Sequence, residues 1–584
     1  MNREIDNKRL NLALKCLFWS LAIILGAIQT RSGRYLMWYD GPSYLDIADN
    51  YLKGNWSDAI NACWSPLYSW VLGTVLFIFK PAPYWEIFLV KTVNFALYLF
   101  ALVSFDFFLN HIIAYSKNTE NRKEGINNIL KKPDWVWIAL GYTIFIWSSI
   151  VWILVHRDSP DMMVAAFVYL STAFVLRIAM NPLSWNNYVI LGVILGLSYL
   201  AKSFMLPLGF VYIISIIHIS DRISLKSSLS RVSISLLFMM LLILPFITAI
   251  SMQKHRITIG DAGKLNYAWY VSPITEDHYW QGSPETGTPA HSTRKINKEP
   301  EIIEFATPVS GSYPVWYDPS YWSDGIHAKF DLKKQIDIIK RNLKYLIKLF
   351  IAFFLLFFFV LASINKECTI GFLRNIIHNW RLFLVPVAGL ISFILFTDLT
   401  VIIDPWVAFQ TRYIAPFVLM LFLFVFFSVD VKGSLSKRVL KGMVIIVVIL
   451  VNISLLFQSS FKRRTVKHPV DGISHYHWQV ADNLGRMGIK AGDKIAVVGL
   501  EDEELYWARL AKVKIVSAMS YDFYSSNRRR QAIALNVLKN AGVDAIIIPS
   551  LPRWVSDQDV KRLSPDWHKI GEAKTYIYKF KSPD

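Results

Sequence analysis

The chain has 584 residues, of which 54% are hydrophobic and 18% charged, with a formal net charge of +19. Soluble domains carry about 25% charged residues, so this balance excludes an ordinary soluble globular protein and points to the membrane. The Lys and Arg residues cluster in short segments between apolar runs, as in cytoplasmic loops, which argues against nucleic acid as a partner. The three scattered cysteines (Cys16, Cys63, Cys368) offer neither a disulfide framework nor a Cys-based zinc site.

Apolar runs suited to crossing a bilayer core of about 30 Å occupy 11–29, 84–112, 134–155, 161–179, 188–201, 203–219, 232–251, 342–363, 381–397, 413–428 and 441–457. The first run (Leu10–Gln29) has no small-residue cleavage site and is expected to be retained as a span. Basic segments at 116–132, 221–231, 374–381 and 432–441 read as cytoplasmic. That puts the N-terminus inside and the loops 30–63, 156–160, 252–341, 398–412 and the tail on the outer face. The stretch 64–80 also looks like a span, but counting it as a crossing would invert every later loop. A re-entrant or surface-lying segment keeps the alternation.

In loop 30–63, Tyr44, Ala48 and Tyr51/Leu52 recur at helical spacing, which predicts a short amphipathic helix at the interface with Asp46 and Asp49 facing solvent. Loop 252–341 is rich in Pro, Gly, Trp and Tyr, and Tyr313–Trp322 reads as a folded Trp-rich surface. Residues 331–349 read as an amphipathic helix entering the next span. The tail alternates helices (477–487, 502–511, 527–541) with strands (Lys494–Gly499, 513–517, Ala545–Ile548, Thr575–Phe580), the pattern of a small parallel or mixed sheet. Its glycines form no GxGxxG, so no dinucleotide fingerprint is present. The expected fold is an α-helical polytopic membrane protein of about 11–12 spans (1–460) with a small C-terminal α/β domain (465–584).

Charged residues at span ends are costly and need a reason. Asp40 follows an aromatic run and precedes Gly41-Pro42; it suits a general base toward an acceptor hydroxyl or amine, and equally a helix N-cap. Asp161, in His156-Arg157-Asp158-Ser159-Pro160-Asp161, opens a helix where the dipole favours a carboxylate, or forms a second acid facing Asp40, with His156 and Asp158 in reserve. Lys202 either snorkels to lipid phosphates or binds the phosphate of a lipid-linked substrate. Arg412 and Tyr413 pair similarly, as bidentate phosphate ligand and stacking partner or as interface anchors. His255, His278, His291 and His327 lack metal-binding spacing such as HExxH, and no GxSxG elbow marks a Ser nucleophile.

Five segments, in this order, resemble the polytopic GT-C glycosyltransferases, in particular the bacterial protein-mannosyltransferase and aminoarabinose-transferase group. They are Asp40-(Gly-Pro-Ser)-Tyr44-(Leu-Asp-Ile)-Ala48, Trp64-Ser-Pro-Leu-Tyr68, Ser159-Pro-Asp161, Gly192-(Val-Ile-Leu)-Gly196-Leu-Ser-Tyr-Leu-Ala-Lys202 and Gln410-Thr-Arg412-Tyr413. The resemblance implies a GT-C-type bundle in a bacterial inner membrane and transfer of a sugar from a polyprenyl-phosphate donor to a protein, lipid or glycan acceptor at the outer face. It maps the family's first-loop acid to Asp40 and its donor-phosphate contacts to Lys202 and Arg412. Family members often carry two adjacent acids where this chain has Asp40-Gly41, so a divalent metal there has no support. The competing reading is a transporter or flippase of a lipid-linked substrate, which would bury charges deep in its spans and often repeat its halves. An O-antigen-ligase-like enzyme and a membrane scaffold complete the alternatives.

Overall fold

The computed structural model describes residues 2–580 except 39, 128–131, 220–221, 273, 275–279, 306–308, 364–365, 401, 405–406, 409, 430–437, 439–440, 443, 450, 454, 456–475, 500–504, 550, 553 and 571–574. Residues 405–406, most of the basic segment 432–441, the start of the tail and His278 therefore lie outside the described residues.

The N-terminal part is a helical bundle: α1 (Asn2–Ser32), α2 (Asp40–Lys53), α3 (Trp56–Ala59), α4 (Pro66–Phe79), α5 (Pro83–Asn127), α6 (Asp134–Trp147), α7 (Asp161–Met180), α8 (Trp185–Ala201), α9 (Met205–Ser215), α10 (Leu225–Gln253) and α11 (Ala262–Tyr270). Two strands follow, β1 (Arg294–Lys298) and β2 (Glu301–Glu304), then α12 (Pro314–Tyr317), α13 (Pro319–Trp322), α14 (Leu332–Ser363), α15 (Lys366–His378), α16 (Trp380–Phe396), β3 (Ile402–Asp404), β4 (Val407–Ala408) and α17 (Thr411–Ser428). Six helices among the described residues are long and apolar enough to cross a membrane, and Gly371–His378 with Trp380–Phe396 would form a seventh, bent by 81°. With large apolar side chains such as Leu237, Leu241 and Leu244 of α10 exposed outward, the chain is an integral membrane protein.

Several expected spans are shorter than a crossing. α8 has 17 residues and α9 has 11, roughly 26 and 17 Å at 1.5 Å per residue. α4 has 14 residues, roughly 21 Å, less than the ~30 Å core; the length agrees with a segment that does not cross alone. α5 continues well past its expected end at 112, because Lys117 pairs with Asp134 (2.7 Å) and Glu120 with Lys132 (3.1 Å). The amphipathic 331–349 and the next span are one helix, α14.

Gly192 and Gly196 of α8, three residues between them, let α10 approach closely. A Cβ at Gly192 would stand 2.3 Å from the Ser235 carbonyl, and one at Gly196 would stand 2.8 Å from Leu242. Small residues at this spacing are how helices pack in lipid, so this motif first serves the bundle.

The tail comprises α18 (Tyr476–Arg486), β5 (Lys494–Val498), α19 (Tyr506–Leu510), β6 (Lys514–Met519), α20 (Asp522–Ser525), α21 (Arg528–Asn540), β7 (Ala545–Ile548), α22 (Asp557–Leu563), β8 (Trp567–Ile570) and β9 (Thr575–Lys579). Its sheet has seven strands in the order β1-β2-β6-β5-β7-β9-β8, with β5, β6 and β7 parallel and the remaining pairs antiparallel. β1 and β2 come from loop 252–341, so that loop and the tail share one sheet. Ile495, Ile515, Ile547 and Ile577 fill one face with no exposure; burying each contributes about 1.5–3 kcal/mol.

Two expectations for the first loop change. α2 does not present one open polar face: Gly41–Ala48 are all buried, and the helix packs against α4 and α12. Asp46 and Asp49 do not simply face solvent: both pair with Arg509 of the tail, at 2.6 and 3.0 Å. Likewise Tyr313–Trp322 is largely interior rather than surface, with Trp316, Tyr317 and Trp322 buried.

Candidate active site

The connector between α6 and α7 is short and tightly wound. Ser148–Ile153 continues α6 as a π-helix, and Leu154 takes a left-handed φ of 68°; such local strain gathers at functional sites. Asp158, fully buried, receives Lys91 Nζ on both oxygens at 2.7 Å, Asn94 Nδ2 at 3.0 Å and the Trp38 backbone N–H at 3.1 Å. Lys91 also donates to the His156 carbonyl at 2.7 Å. The His156 ring packs on Gly33, where a Cβ would come within 2.4 Å of it. Neither Asp158 nor His156 lines the cleft described next: the carboxylate is saturated by internal donors, and both residues brace the connector against α5 and the first loop.

The remaining expected residues converge. One cleft is lined by Asp40 and Tyr44 of α2, Asp161 at the first position of α7, Lys202 at the break between α8 and α9, and Arg412 and Tyr413 of α17. Its cavity volume is about 110 Å³, several times what one ordered water needs. Asp161 and Arg412, 251 positions apart, meet because two helix N-termini, those of α7 and α17, and the C-cap of α8 converge on the cleft. Helix N-termini favour anions, and Asp161 satisfies that preference within the fold. It accepts from Lys202 Nζ at 2.6 Å and Ser159 Oγ at 2.9 Å, and forms an ion pair with Arg412, whose Nε stands 3.2 Å from Oδ2. Arg412 also donates from Nη2 to the Tyr413 hydroxyl at 2.7 Å, and Lys202 Nζ stands 3.8 Å from the centre of the Tyr413 ring. The result is a braced pair of cations facing the cleft.

Asp40 sits apart from that cluster. Its Oδ1 accepts the Trp316 indole N–H at 3.1 Å. Burial raises its pKa above the usual carboxylate value, although Arg412, the Trp316 hydrogen bond and Arg157 all act in the opposite direction. A carboxylate made more basic and set at a cleft is suited to taking a proton. Arg157, stacked 4.2 Å above the Trp38 ring, is pulled down to about 9 by burial and by Arg412. Burial likewise raises the Tyr44 hydroxyl and the Cys63 thiol, so Cys63 is not a thiolate nucleophile.

Sequence reasoning passed over three contributors. Trp316 supplies the hydrogen bond to Asp40, while its carbonyl accepts from Ser43 Oγ (3.0 Å) and Trp64 Nε1 (3.1 Å). Trp269 stacks beside it, ring centres 6.1 Å apart. Arg157 adds a third positive charge near Asp40 and Asp161. The aromatic density of 313–322 was the one signal for Trp316; nothing local links it to Asp40, 276 residues earlier. Among the described residues no group of three or more His, Cys, Asp or Glu side chains is arranged to hold a metal ion, and Asp161 is already held by two cations. The described residues do not fit a resident metal.

No family model and no curated protein matches the chain. Among solved structures, ArnT from Cupriavidus metallidurans bound to undecaprenyl phosphate aligns with TM-score 0.47 and 11% identity, over 96% of this chain and 97% of that one. Its apo form gives 0.45 and 12%, over 96% and 97%. The Archaeoglobus fulgidus oligosaccharyltransferase in complex with zinc and sulfate gives 0.45 and 11%, over 91% of this chain and 67% of that chain. Each of these three alignments spans at least 91% of this chain.

Proposed function

We propose that this protein is a glycosyltransferase that moves a sugar from a polyprenyl-phosphate donor to an acceptor at the outer face of the membrane. The observation that carries this reading is the single cleft in which Asp40 faces the Lys202–Asp161–Arg412 cluster. In the reaction, an acceptor hydroxyl or amine attacks the anomeric carbon as the bond from that carbon to the phosphate oxygen breaks. The acceptor proton passes to Asp40, and the charge left on the lipid phosphate is met by Lys202 and Arg412. Asp161 keeps both cations aimed at the cleft; Tyr44 and Tyr413 line the sugar's position. The outward apolar faces of the bundle offer the donor's isoprenoid chain a lipid-like path.

The test is transfer by the purified full chain from a panel of polyprenyl-phosphate sugars, with product read by mass spectrometry. Transfer from at least one donor supports the reading. No transfer, with donor-dependent lipid movement in liposomes, would favour a transporter. Lys202→Ala and Arg412→Ala should each raise the donor KM roughly ten- to a hundredfold, the loss of one charge-assisted hydrogen bond, while the protein still inserts. Unchanged donor affinity in both variants would remove the phosphate contact from the mechanism.

The outer-face placement of the tail makes a separate prediction. Alkaline phosphatase fused to the C-terminus, active only outside the cytoplasm, should be active. An inactive fusion would mean that α4 belongs to a full crossing and that the tail is cytoplasmic.

A further inference from the structure

Arg509 lies in α19, in the tail, yet its side chain is only 8% exposed and reaches into the bundle. Nη1 stands 2.6 Å from Asp46 Oδ1 and 3.0 Å from Asp49 Oδ2, both on α2. Nη2 and Nε pair with the two oxygens of Glu86, at the start of α5, at 2.8 and 2.9 Å. Tyr506, one turn earlier, donates to Glu86 Oε1 at 2.9 Å. One guanidinium fork thus holds three carboxylates from two helices that would otherwise repel one another.

A second tie joins the tail to the same helix. The Ile515 N–H of β6 donates to the Ser312 carbonyl at 2.9 Å, and the Ser312 N–H donates to Asp46 Oδ2 at 2.7 Å. Four residues beyond Ser312, Trp316 donates to Asp40. The tail therefore reaches α2 at its middle through Arg509 and at its first residue through a loop hydrogen-bonded to the tail's sheet.

We infer that Arg509 is a positioning residue for the transfer reaction: by fastening Asp46 and Asp49 to Glu86 it fixes α2, and with it the Asp40 carboxylate, against the Lys202–Arg412 pair. The inference rests on the glycosyl-transfer reading above. A helix transmits displacement along its axis, and Asp40 lies six residues from Asp46 on α2. Misplacing a catalytic group by about 1 Å can cost on the order of a hundredfold in rate. The tail, on this account, is part of the catalytic apparatus rather than an appended module.

The experiment compares full-length wild type, Arg509→Met and Arg509→Lys. In steady-state transfer, Arg509→Met should lower kcat by roughly ten- to a hundredfold with donor KM changed less than about twofold. Arg509→Lys, which keeps the charge and loses the fork, should fall between. A second readout needs no turnover: dicyclohexylcarbodiimide labels protonated carboxyls in apolar sites, and peptide mass spectrometry gives the pH midpoint of labelling at Asp40. The groups facing Asp40 are Arg412, Arg157, Asp161, Trp316 and Tyr44. Loosening α2 admits water, so the midpoint in Arg509→Met should fall as the desolvation is relieved.

A wild-type kcat in Arg509→Met, or a fall in kcat matched by a rise in donor KM with the midpoint unmoved, would overturn the inference. Should wild type transfer from no donor, the transfer reading fails and the labelling midpoint alone decides whether Arg509 sets the surroundings of Asp40. If Arg509→Met does not fold, judged by its melting profile in detergent, Arg509→Lys carries the same two measurements.

Discussion

Asp40→Asn is expected to lower the transfer rate by about 10²–10⁴-fold, the contribution of a positioned general base, while leaving insertion and thermal stability near wild type. The substitution is nearly isosteric, and an amide oxygen still accepts the Trp316 indole N–H, so the cleft keeps its shape. What is lost is the proton-accepting charge. The pH dependence follows with a definite sign. Burial raises the Asp40 pKa above the usual carboxylate value, so the base is ionised above that raised value and becomes protonated as pH falls through it. Wild-type kcat should therefore fall on an acid limb lying higher than the ~3.9 of a free aspartate, and the residual rate of Asp40→Asn should lack that limb. Rate measurements across pH on both proteins check this; a variant turning over at near wild-type speed would take Asp40 out of the chemistry.

Asp158→Asn should have its effect on stability instead. Asp158 is wholly enclosed, and the Lys91 ammonium that it faces is also buried. Removing the carboxylate charge leaves a cation in a site with little water, a change that costs about 3–5 kcal/mol when one partner of a buried pair is lost. Thermal unfolding in detergent, followed by fluorescence-detected size exclusion, should show a markedly lower midpoint for Asp158→Asn. The double variant Lys91→Met/Asp158→Asn should recover part of it, since no unpaired charge then remains. A single variant as stable as wild type would show that Lys91 finds another partner or loses its proton freely. Donor KM measured on the folded fraction should stay within about twofold, because Asp158 braces the connector from behind and does not line the cleft.

Three residues after Asp158 stands another aspartate, with different surroundings. Asp161 is neither an accessible base nor a hidden brace: its carboxylate is clasped by Lys202, Arg412 and Ser159 at the edge of the cleft. Its pairing with two cations is geometry that its position in the sequence does not express.

Much was legible from the chain alone, for physical reasons. Apolar runs of span length mark a membrane protein because a bilayer core admits little else. The alternation of short β-branched runs with helical segments announced the mixed sheet of the tail, since its central strands must be buried on both faces. Charges at the ends of spans drew attention to Asp40, Asp161, Lys202, Arg412 and Tyr413, and these do line one cleft. Pattern could not show that 294–304 leaves its loop to add two strands to a sheet some 200 residues later, because strand pairing over that distance has no local signature. Nor could it separate Asp158 from Asp161, or take Asp46 and Asp49 from solvent to Arg509: polar spacing on a helix reads as exposure unless a partner elsewhere in the chain covers it. Local periodicity and the cost of burying charge determine the elements and nominate the residues. Only long-range packing, which sets the neighbours of each charge, decides which carboxylate lines the cleft, which pairs with a buried lysine behind it, and which meets an arginine of the tail.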